Sequence, residues 1–455
     1  MKRYRLTVPE MVYADVRQHL LHGRNEEVAV LFANAATSDD VTNVIVRRWE
    51  PVPSAMLLRQ APDIFSVDSA FIVRHAKQAA TRGESIVLAH SHPMDHEIPR
   101  FSSADDCGEA DLYAFLQVRL SNRVHGALVM SPGGVAARFN LVDGAQVAVD
   151  EIRVVGRRVQ RHRTCSTTIP HDEDQAHARQ CLIWGSHGQR VLRDTTVALI
   201  GAGGTGSVVA QQLIHLGIGG LLVVDNQLVE ESNLSRIVGA RRDDIDSTPK
   251  VDVVGRIATA VDPSVNVWPI KGDVTDSNVL EKLKGVDVIF LCTDSHHSRA
   301  VVNAFAVQYV IPLIDLGFLI DIDEQTSQVI AAVGEVRVVV PGGYCLSCAG
   351  VLDADRIKAE KASSEERAAH PGYYRALDIP DPSVITLNST IASLAVTIGC
   401  DMLIPTMRPV HPLDSYRYNA VKGIVAHHQK THNPLCGICG TEGRVAMGDL
   451  LPLPQ

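Results

Sequence analysis

Short apolar runs alternate with amphipathic segments along most of the chain, and two of these runs frame the region around which the rest is organised. Residues 197–200 form a short run rich in β-branched side chains, which predicts a buried parallel strand. A second run, 221–224, follows after roughly a dozen residues with helical spacing of their apolar positions. This order predicts a strand, a helix and a second parallel strand, the repeating unit of an open α/β sheet.

A glycine-rich turn lies between the first predicted strand and the helix. It contains the candidate phosphate-binding glycines Gly201, Gly203, Gly204 and Gly206. Such glycines let the backbone turn tightly and approach a phosphate, while the helix N-terminus supplies free N–H groups. Asp225, at the end of the second run, suits a ribose hydroxyl. The pattern predicts nucleotide binding; the alternatives are a tight strand-to-helix turn and a NAD-dependent oxidoreductase.

The remaining pattern predicts two domains and a connection. Before residue 150, strands are predicted at 28–32, 41–46, 85–89, 124–130 and 136–141, with a helix over 68–81, which together indicate a mixed α+β domain. Later runs at 286–291 and 310–314 extend the α/β sheet, and an apolar helix over 388–403 places Cys400 in the core. A basic run at 153–168 and an acidic one at 169–174 are typical of a solvated linker. The predicted domains are therefore 1–152 and 175–455, joined by 153–174.

Composition narrows the class of protein. With 455 residues and 45% hydrophobic side chains, the chain is long enough for two or three globular domains. No apolar run of about 18 residues is present, so no membrane span is expected, and the first residues lack the apolar core of a secretory signal. A net charge of −9 argues against nucleic-acid binding. Nine cysteines, with two C-x-x-C pairs, favour metal binding and a reducing, cytoplasmic setting.

A histidine pair in the first domain indicates a metal site. His90 and His92 are two residues apart on a predicted strand, so both imidazoles project to one face. Asp105, from the next element, can supply a third ligand and leave a fourth position for a water whose pKa the metal lowers. Ser103 and Asp106 offer a competing register, and a turn with incidental histidines is the alternative interpretation.

H-x-H-P followed by S-x-x-D resembles the JAB/JAMM metalloprotease family, which cleaves after the C-terminal glycine of ubiquitin-like proteins. The resemblance implies that the two histidines and Asp105 are zinc ligands and that Ser102 helps to hold the oxyanion. The general base of that family is a glutamate in the pattern Glu-x-x followed by apolar residues. Glu26 fits this position, and Glu27 is the alternative, one residue out of register.

Polar and cationic residues follow the second strand of the glycine-containing unit. Asn233 and Arg236 lie in the segment after Asp225, and Lys250 follows Pro249. Such groups suit a triphosphate better than a dinucleotide, because cations stabilise charge on a transferring phosphorus. Asp294 comes after the predicted strand at 286–291, at the edge of the sheet where α/β proteins bind ligands.

These residues make the second domain similar to the ThiF, MoeB and HesA adenylyltransferases, which belong to the superfamily of ubiquitin-activating enzymes. The resemblance implies a Rossmann-like domain that binds ATP and Mg²⁺, with the polar and cationic residues on the phosphates and Asp294 organising Mg²⁺. Arg179 opens the stretch R-Q-x-x-x-x-G-x-x-G-Q, which in that family reaches ATP across a dimer interface. A homodimer is therefore expected.

Two cysteine pairs indicate a second metal site. Cys345 and Cys348 form one C-x-x-C, and Cys436 and Cys439 form the other, separated by 87 residues. Four thiolates close a tetrahedral structural zinc site, and the same two pairs occur in ThiF/MoeB-like proteins. The alternative is two unrelated pairs.

The resemblance implies a combined function. The second domain would adenylate the C-terminal glycine of a ubiquitin-like protein, and the zinc peptidase would process that protein. Residues 349–387, where ubiquitin-activating enzymes carry an acceptor cysteine, contain none, so the acceptor would belong to a downstream conjugating enzyme. The alternatives are activation of a sulfur-carrier protein or a peptide, and a non-catalytic protein that binds a ubiquitin-like tail.

Overall fold

The computed structural model describes residues 2–163, 175–323, 325–363, 365–366, 382–404 and 414–455. Its contacts divide the chain into two compact units. Unit 1 comprises Met1–Ile169, Gln308–Val310 and Arg444–Pro452. Unit 2 comprises Pro170–Val307, Ile311–Gly443 and Leu453–Gln455.

Unit 1 is built on a nine-stranded mixed sheet with helices against it. Its order is β11-β10-β1-β3-β2-β6-β7-β8-β9, and a hairpin of β4 and β5 stands apart. The elements are β1 (Arg3–Pro9), α1 (Glu10–Leu20), β2 (Val28–Thr37), β3 (Val41–Pro51), β4 (Leu57–Ala61), β5 (Ile64–Val67), α2 (Ser69–Arg82), β6 (Ser85–Ser91), α3 (Ser103–Arg119), β7 (His125–Ser131), β8 (Gly134–Asn140), β9 (Gln146–Ala148), β10 (Glu151–Val155) and β11 (Val159–Arg163).

Both faces of this sheet are covered by apolar packing. One core lies under α1 and includes Leu6 and Phe139, and the other lies under α2 and α3 and includes Phe32 and Leu116. Burial on both faces explains why β2 and β6 are continuously buried rather than alternating. The two strands are antiparallel neighbours in which Val28 lies opposite His90. This register brings the start of β2 beside the end of β6.

The basic run that follows residue 152 differs from the predicted linker. Residues 153–155 lie in β10 and residues 159–163 in β11, and β10 pairs in parallel with β1. Arg153 is buried and its guanidinium pairs with Glu151. An arginine that forms an ion pair can be buried in a sheet. The basic charge of the run therefore predicted a linker where the structure has two paired strands. The rest of the predicted linker, 164–174, lies outside the described residues.

Unit 2 contains an eight-stranded sheet of order β14-β13-β12-β15-β16-β17-β18-β19. Strands β14 to β16 are parallel, and β17 to β19 continue the sheet antiparallel. The elements are α4 (Ala178–Arg193), β12 (Thr196–Ile200), α5 (Gly204–His215), β13 (Gly220–Asp225), α6 (Lys250–Val261), β14 (Asn266–Lys271), α7 (Ser277–Leu283), β15 (Val288–Leu291), α8 (His296–Tyr309), β16 (Leu313–Ile322), β17 (Val329–Val339), α9 (Ala354–Lys361), α10 (Ile385–Leu403), β18 (Ser415–Asn419) and β19 (Ile424–His428).

The predicted strand–helix–strand unit is present as β12, α5 and β13, with the glycine turn between the strand and the helix. Gly201 has φ +90°, a left-handed conformation that favours glycine. A Cβ on Gly206 would lie 1.9 Å from the carbonyl oxygen of Gly201, so only glycine lets α5 start this close to the strand. The predicted strand at 310–314 begins later, at Leu313. Helix α8 reaches Tyr309, and Val310 then turns the chain with φ +56°.

Helix α10 is the most apolar by sequence among the described helices of unit 2. Its 19 residues have a mean hydropathy of 1.2 over an 18-residue window, which is enough by length and composition to cross a membrane. Core helices of soluble proteins pass the same test, so one such helix is weak evidence for a span. α10 packs against α5 and β16, and Ile391, Ala395 and Met402 are buried. Cys400 lies in this helix, as predicted.

Candidate functional site

The glycine turn of unit 2 is held by the aspartate at the end of the neighbouring strand. One carboxylate oxygen of Asp225 accepts a hydrogen bond from the backbone N–H of Ala202 at 2.8 Å. The other accepts from the N–H of Gln227 at 2.9 Å. Asp225 therefore joins the turn after β12 to the loop after β13, and it is half-buried at the edge where both strands end.

A cavity of about 1020 Å³ opens at this edge. It brings together residues that lie far apart in the sequence, including most of the predicted nucleotide-binding group. The predicted residues that line it are Gly201, Gly203, Gly204, Asp225, Asn233, Arg236, Lys250 and Asp294. This volume falls at the upper end of ligand pockets, enough for a nucleotide and part of a second substrate.

The two cations of this group are held by their own neighbours. Lys250 begins α6 and is buried, and its ammonium group donates to the side-chain oxygen of Gln227 at 2.5 Å. Arg236 donates to the backbone carbonyl of Ser232 at 2.8 Å. Asn233 is buried, and its side-chain oxygen accepts from the N–H of Glu230. These contacts fix where each polar side chain enters the cavity.

The loop after β15 adds a carboxylate to the same cavity. Asp294 is exposed and lies three residues beyond the end of the strand. Cys292 is beside it, and burial raises the pKa of its thiol well above the usual value, which suits a small core side chain better than a nucleophile. Arg299, in the first turn of α8, donates to the buried Asp315 at 3.1 Å.

Sequence reasoning missed a row of paired charges at the other side of the cavity. Its members lie on α8, β16, β17 and β18, and in order across the row they are Arg299, Asp315, Arg337, Glu335 and Arg417. The register of the three strands accounts for the row, because Asp315 lies opposite Arg337 and Glu335 opposite Arg417. The signal available in the sequence was the pair of opposite charges two residues apart, at 335 and 337. Their partners on β16 and β18 become known only when the strands are paired.

Two predicted residues of the second domain lie elsewhere in unit 2. Arg179 is an exposed residue on α4 and is not among the described residues that line the cavity. Gly206 lies under the turn, in contact with Gly201, and serves the approach of helix to strand rather than the cavity surface.

The histidine site of unit 1 brings three predicted ligands together. Nitrogen and oxygen atoms of His90, His92 and Asp105 all lie within 4.8 Å of one another. The Nε2 of His90 is 3.2 Å from one carboxylate oxygen of Asp105, and the Nε2 of His92 is 3.6 Å from the other. The pair of rings therefore faces one carboxylate, an arrangement that suits a small cation with nitrogen and oxygen ligands.

The chemistry of His90 fits a metal ligand. Its Nε2 is buried and lies 3.2 Å from Asp105, but it forms no hydrogen bond of good geometry among the described residues. Burial lowers the pKa of His90, which favours the neutral imidazole that metals bind. A buried nitrogen without a well-aligned hydrogen bond costs free energy, and coordination of a cation would remove that cost.

Glu26, and not Glu27, faces this site. Glu26 is buried just before β2, and its carboxylate lies 3.6 Å from the Nε2 of His92. Burial raises the pKa of Glu26 to about 7, in the range where a carboxylate takes up a proton at neutral pH. Glu27 instead accepts from the side chain of Gln60 at 2.9 Å, on the hairpin of β4 and β5.

The start of α3 fixes the position of the carboxylate ligand. The Ser102 hydroxyl accepts from the backbone N–H of Asp105 at 3.2 Å, and the Asp105 side chain accepts from the N–H of Ser102 at 2.6 Å. This reciprocal capping box holds Asp105 in the first turn of the helix. The competing candidate Asp106 points elsewhere, to a salt bridge with Arg138 at 2.6 Å.

The four predicted cysteines form one cluster in unit 2. The sulfur of Cys345 lies 3.9 Å from that of Cys348 and 3.8 Å from that of Cys436. Cys348 and Cys439 are 3.4 Å apart. Four sulfurs about 2.3 Å from a tetrahedral zinc ion would be separated by about 3.8 Å, so the donor set has the right size for such an ion.

Comparison with known proteins identifies the family of unit 2. The model of the ThiF family matches residues 177–438, more than half of the chain. The chain belongs to the ThiF family. Its Rossmann-like domain is of the ThiF/MoeB type, which confirms the predicted fold of this part of the chain.

Individual relatives cover this ThiF chain to different extents. It is 34% identical over 164 residues to the "SAMP-activating enzyme E1" of Haloferax volcanii, a match that covers 36% of this chain and 56% of that enzyme. It is 28% identical over 260 residues to the "Sulfur carrier protein adenylyltransferase" of Thermus thermophilus, covering 57% of this chain and 87% of the relative. The chain therefore spans little more than half the length of the first of these. Among solved structures, E. coli MccB with MccA-N7isoASN gives a TM-score of 0.49 at 21% identity, covering 60% and 76% of the two chains.

Proposed function

We propose that unit 2 uses ATP and Mg²⁺ to adenylate the C-terminal glycine of a ubiquitin-like or sulfur-carrier protein. The observation that carries the proposal is the cavity at the glycine turn, which gathers Arg236, Lys250 and Asp294 around one space. Membership of the ThiF family supports it, as do the relatives named as activating enzymes of such carriers.

In this proposal the chain positions two substrates and neutralises charge. A terminal carboxylate oxygen attacks the α-phosphorus of ATP, the bond to the β-phosphate oxygen breaks, and pyrophosphate leaves with the electron pair. The glycine turn supplies backbone N–H groups to phosphates, and Lys250 and Arg236 offset the charge on the triphosphate. Asp294 would hold Mg²⁺, which screens the phosphates. Arg179, from the partner of a homodimer, would complete the phosphate site.

The acyl-adenylate then passes to an acceptor outside this chain. The segment 349–387 contains no cysteine, and burial raises the pKa of Cys400 to about 12, which keeps that thiol protonated. A conjugating enzyme or sulfur donor would therefore supply the attacking thiol.

Exchange of radiolabelled pyrophosphate into ATP tests the adenylation. Small carrier proteins ending in Gly-Gly should drive exchange, and the same carriers without the last glycine should not. Exchange driven only by a short peptide or a free acid would show that the substrate is not a carrier protein. Binding of ATP without exchange by any carrier would indicate a non-catalytic protein, and stabilisation by NAD rather than ATP with Mg²⁺ would indicate an oxidoreductase.

We further propose that unit 1 is a zinc peptidase that processes the same carrier. Its support is the convergence of His90, His92 and Asp105 with Glu26 beside them. These three residues would hold zinc, which supplies a bound water of lowered pKa. Glu26 would accept the proton of the attacking water and deliver it to the leaving amine, while Ser102 would donate to the oxyanion.

Metal analysis and cleavage test this second proposal together. A carrier extended by a short tail beyond its glycine should be cut at that glycine by the zinc-loaded chain. Chelation should stop cleavage, and added zinc should restore it. Cleavage that persists after the metal is removed would contradict the proposal.

The cysteine cluster would hold a structural zinc ion, because four sulfur ligands leave no position for a substrate. Cys345→Ser should lower the zinc content by about one ion per chain and lower the melting temperature. The exposed Cys107→Ser, in unit 1, is the matched control and should change neither. An unchanged zinc content in Cys345→Ser would contradict the assignment.

A further inference from the structure

The row of paired charges in unit 2 ends in an arginine that is only partly satisfied. Asp315 is fully buried between Arg299 and Arg337, so its charge is neutralised by two guanidinium groups. Glu335 pairs with Arg337 and Arg417. The side chain of Arg417 is still 47% exposed, and both Glu335 and Arg417 line the cavity. Three arginines thus share two carboxylates, and the excess positive charge lies at the open end of the row.

One further cation enlarges this excess. Lys430, which follows β19, lines the same cavity. Burial alone would raise the pKa of Glu335, but Arg337, Arg417 and Lys430 hold it below its usual value. Lys430 therefore lies close enough to Glu335 and Arg417 to act on the same ligand.

The two sides of the cavity differ in charge. The side beside the glycine turn carries more carboxylates than cations, whereas the side formed by β17 and β18 carries an excess of cations. The charged residues at the glycine turn are Asp225, Glu230, Asp273 and Asp294 with Arg236 and Lys250. Strand β15, which leads to Asp294, is three strands away from β18 in the sheet. Adjacent strands are about 4.8 Å apart, so the two sides are separated by about 14 Å, the length of about four residues of extended peptide.

Resting on the proposed adenylation, we infer that this cationic side, defined by Arg417 and Lys430, binds an acidic side chain of the substrate tail, about four residues before the terminal glycine. Arg417 can offer its exposed N–H groups to a carboxylate while it stays paired with Glu335. A basic side chain at the same position would face the two cations Arg417 and Lys430 and be repelled. The cavity would therefore select among carriers by the charge of their tails.

The test uses the full chain and three fluorescein-labelled peptides. Each has ten residues, ends in Gly-Gly and differs only in carrying Glu, Gln or Lys at the fourth position before the terminal glycine. Fluorescence anisotropy at low salt measures their affinities. We expect the Glu peptide to bind at least about tenfold more tightly than the Lys peptide, with the Gln peptide between them.

Two variants and a control test whether Arg417 causes the preference for the Glu peptide. Arg417→Gln should reduce the ratio between the Glu and Lys peptides, and Arg417→Glu should reverse their order. Lys422→Glu makes the same change of charge on an exposed residue in the turn between β18 and β19, away from the cavity lining, and should leave the ratio unchanged. Melting temperature and ATP binding show that each variant is folded.

The outcomes separate this inference from the adenylation itself. Equal affinities for the three peptides, no binding by any of them, or the same ratio in Arg417→Glu would overturn the inference even if carriers drive pyrophosphate exchange. A charge preference that depends on Arg417, with no exchange by any carrier, would uphold the acidic-tail site and contradict adenylation.

Discussion

The histidine site of unit 1 and the cavity of unit 2 use similar residue types but are assembled differently. In the first, carboxylate oxygens of Glu26 and Asp105 each lie 3.6 Å from the Nε2 of His92, a spacing that suits one ion and one water. In the second, Lys250 and Arg236 each bond to a neighbour in their own loop, and the predicted residues surround about 1020 Å³. The spacing of the side chains thus reflects the size of what each site would hold.

This difference leads to different expectations for mutation. In the compact site every group would contact the same small ligand, so loss of one group would disable the whole site. In the open cavity the charge is spread over several cations, so loss of one weakens the site by its own share. The predictions that follow run from the compact site to the residues that support each unit.

Glu26→Gln should give the largest effect. The amide cannot accept a proton from water, so we expect cleavage of an extended carrier to fall by about 10³–10⁴-fold. Pyrophosphate exchange should be unchanged, because Glu26 belongs to unit 1. Cleavage and exchange assays on the same preparation measure both.

Glu27→Gln is the matched control for this variant, since Glu27 bonds to Gln60 and not to the histidine site. It should retain cleavage. Equal losses in the two variants would show that the substitution damages the fold around β2 rather than the chemistry.

Lys250→Ala should reduce pyrophosphate exchange by about 10²–10³-fold, because one of several cations on the phosphates is lost. The exposed Lys282→Ala on α7, outside the cavity lining, should have no effect. Steady-state exchange at saturating carrier gives the comparison. Full activity in Lys250→Ala would contradict the assignment of this cavity to ATP.

Acid should weaken unit 1 through a buried histidine. His125 is fully buried; its Nδ1 accepts from the N–H of Ile86 and its Nε2 faces the carbonyl of Leu120. Burial lowers its pKa to about 4, so the unfolded state binds the proton first. Stability should therefore fall as the pH drops from about 6.5 to about 4, by up to about 3 kcal/mol.

Hydrogen exchange of the amides of β6 and β7, corrected for intrinsic rates, measures this loss. His125→Gln lacks the titrating group and should flatten the dependence over the same interval. A wild-type protein whose protection stays constant from pH 6.5 to 4.5 would contradict the prediction.

Asp244→Asn should give the smallest effect. Asp244 forms two hydrogen bonds with Arg256, at 2.8 and 2.6 Å, in the segment between Arg236 and Lys250. Hydrogen bonds from Arg256 lower the pKa of Asp244 to about 2, so its contribution is present above about pH 4 and is lost as the pH falls toward 2. We expect a cost of about 1 kcal/mol at pH 7, reduced by the partial exposure of Arg256.

Chemical denaturation at pH 7 and at pH 2.5 checks this effect. The difference between wild type and Asp244→Asn should shrink at the lower pH. A difference that is the same at both values would show that the lost contact is not ionic.

Local patterns were sufficient for much of the fold. The β-branched run before the glycines predicted β12, and the run that ends in Asp225 predicted β13, because buried parallel strands are continuously apolar. The spacing of His90 and His92 also indicated that the two would share a face. These features depend on neighbours in the sequence, which a pattern can show.

Features that depend on distant pairing were not predictable. Arg153 looked like part of a solvated linker because its partner Glu151 and its strand neighbour β1 were unknown. The row that ends in Arg417 exists only once β16, β17 and β18 are in register. The choice between Glu26 and Glu27 depended on a contact with the hairpin, because Gln60 donates a hydrogen bond to Glu27 and holds it away from the histidines.

The capping box at the start of α3 limits which residues can replace Ser102. Ser102 holds the helix start through the backbone of Asp105, and that same aspartate reaches toward the histidines. Replacing the serine by alanine would free the first turn and let the carboxylate drift, whereas threonine would keep the oxygen in place. A single hydroxyl thereby couples the integrity of a helix end to the position of the Asp105 carboxylate beside the histidines, and the two are expected to be lost or retained together.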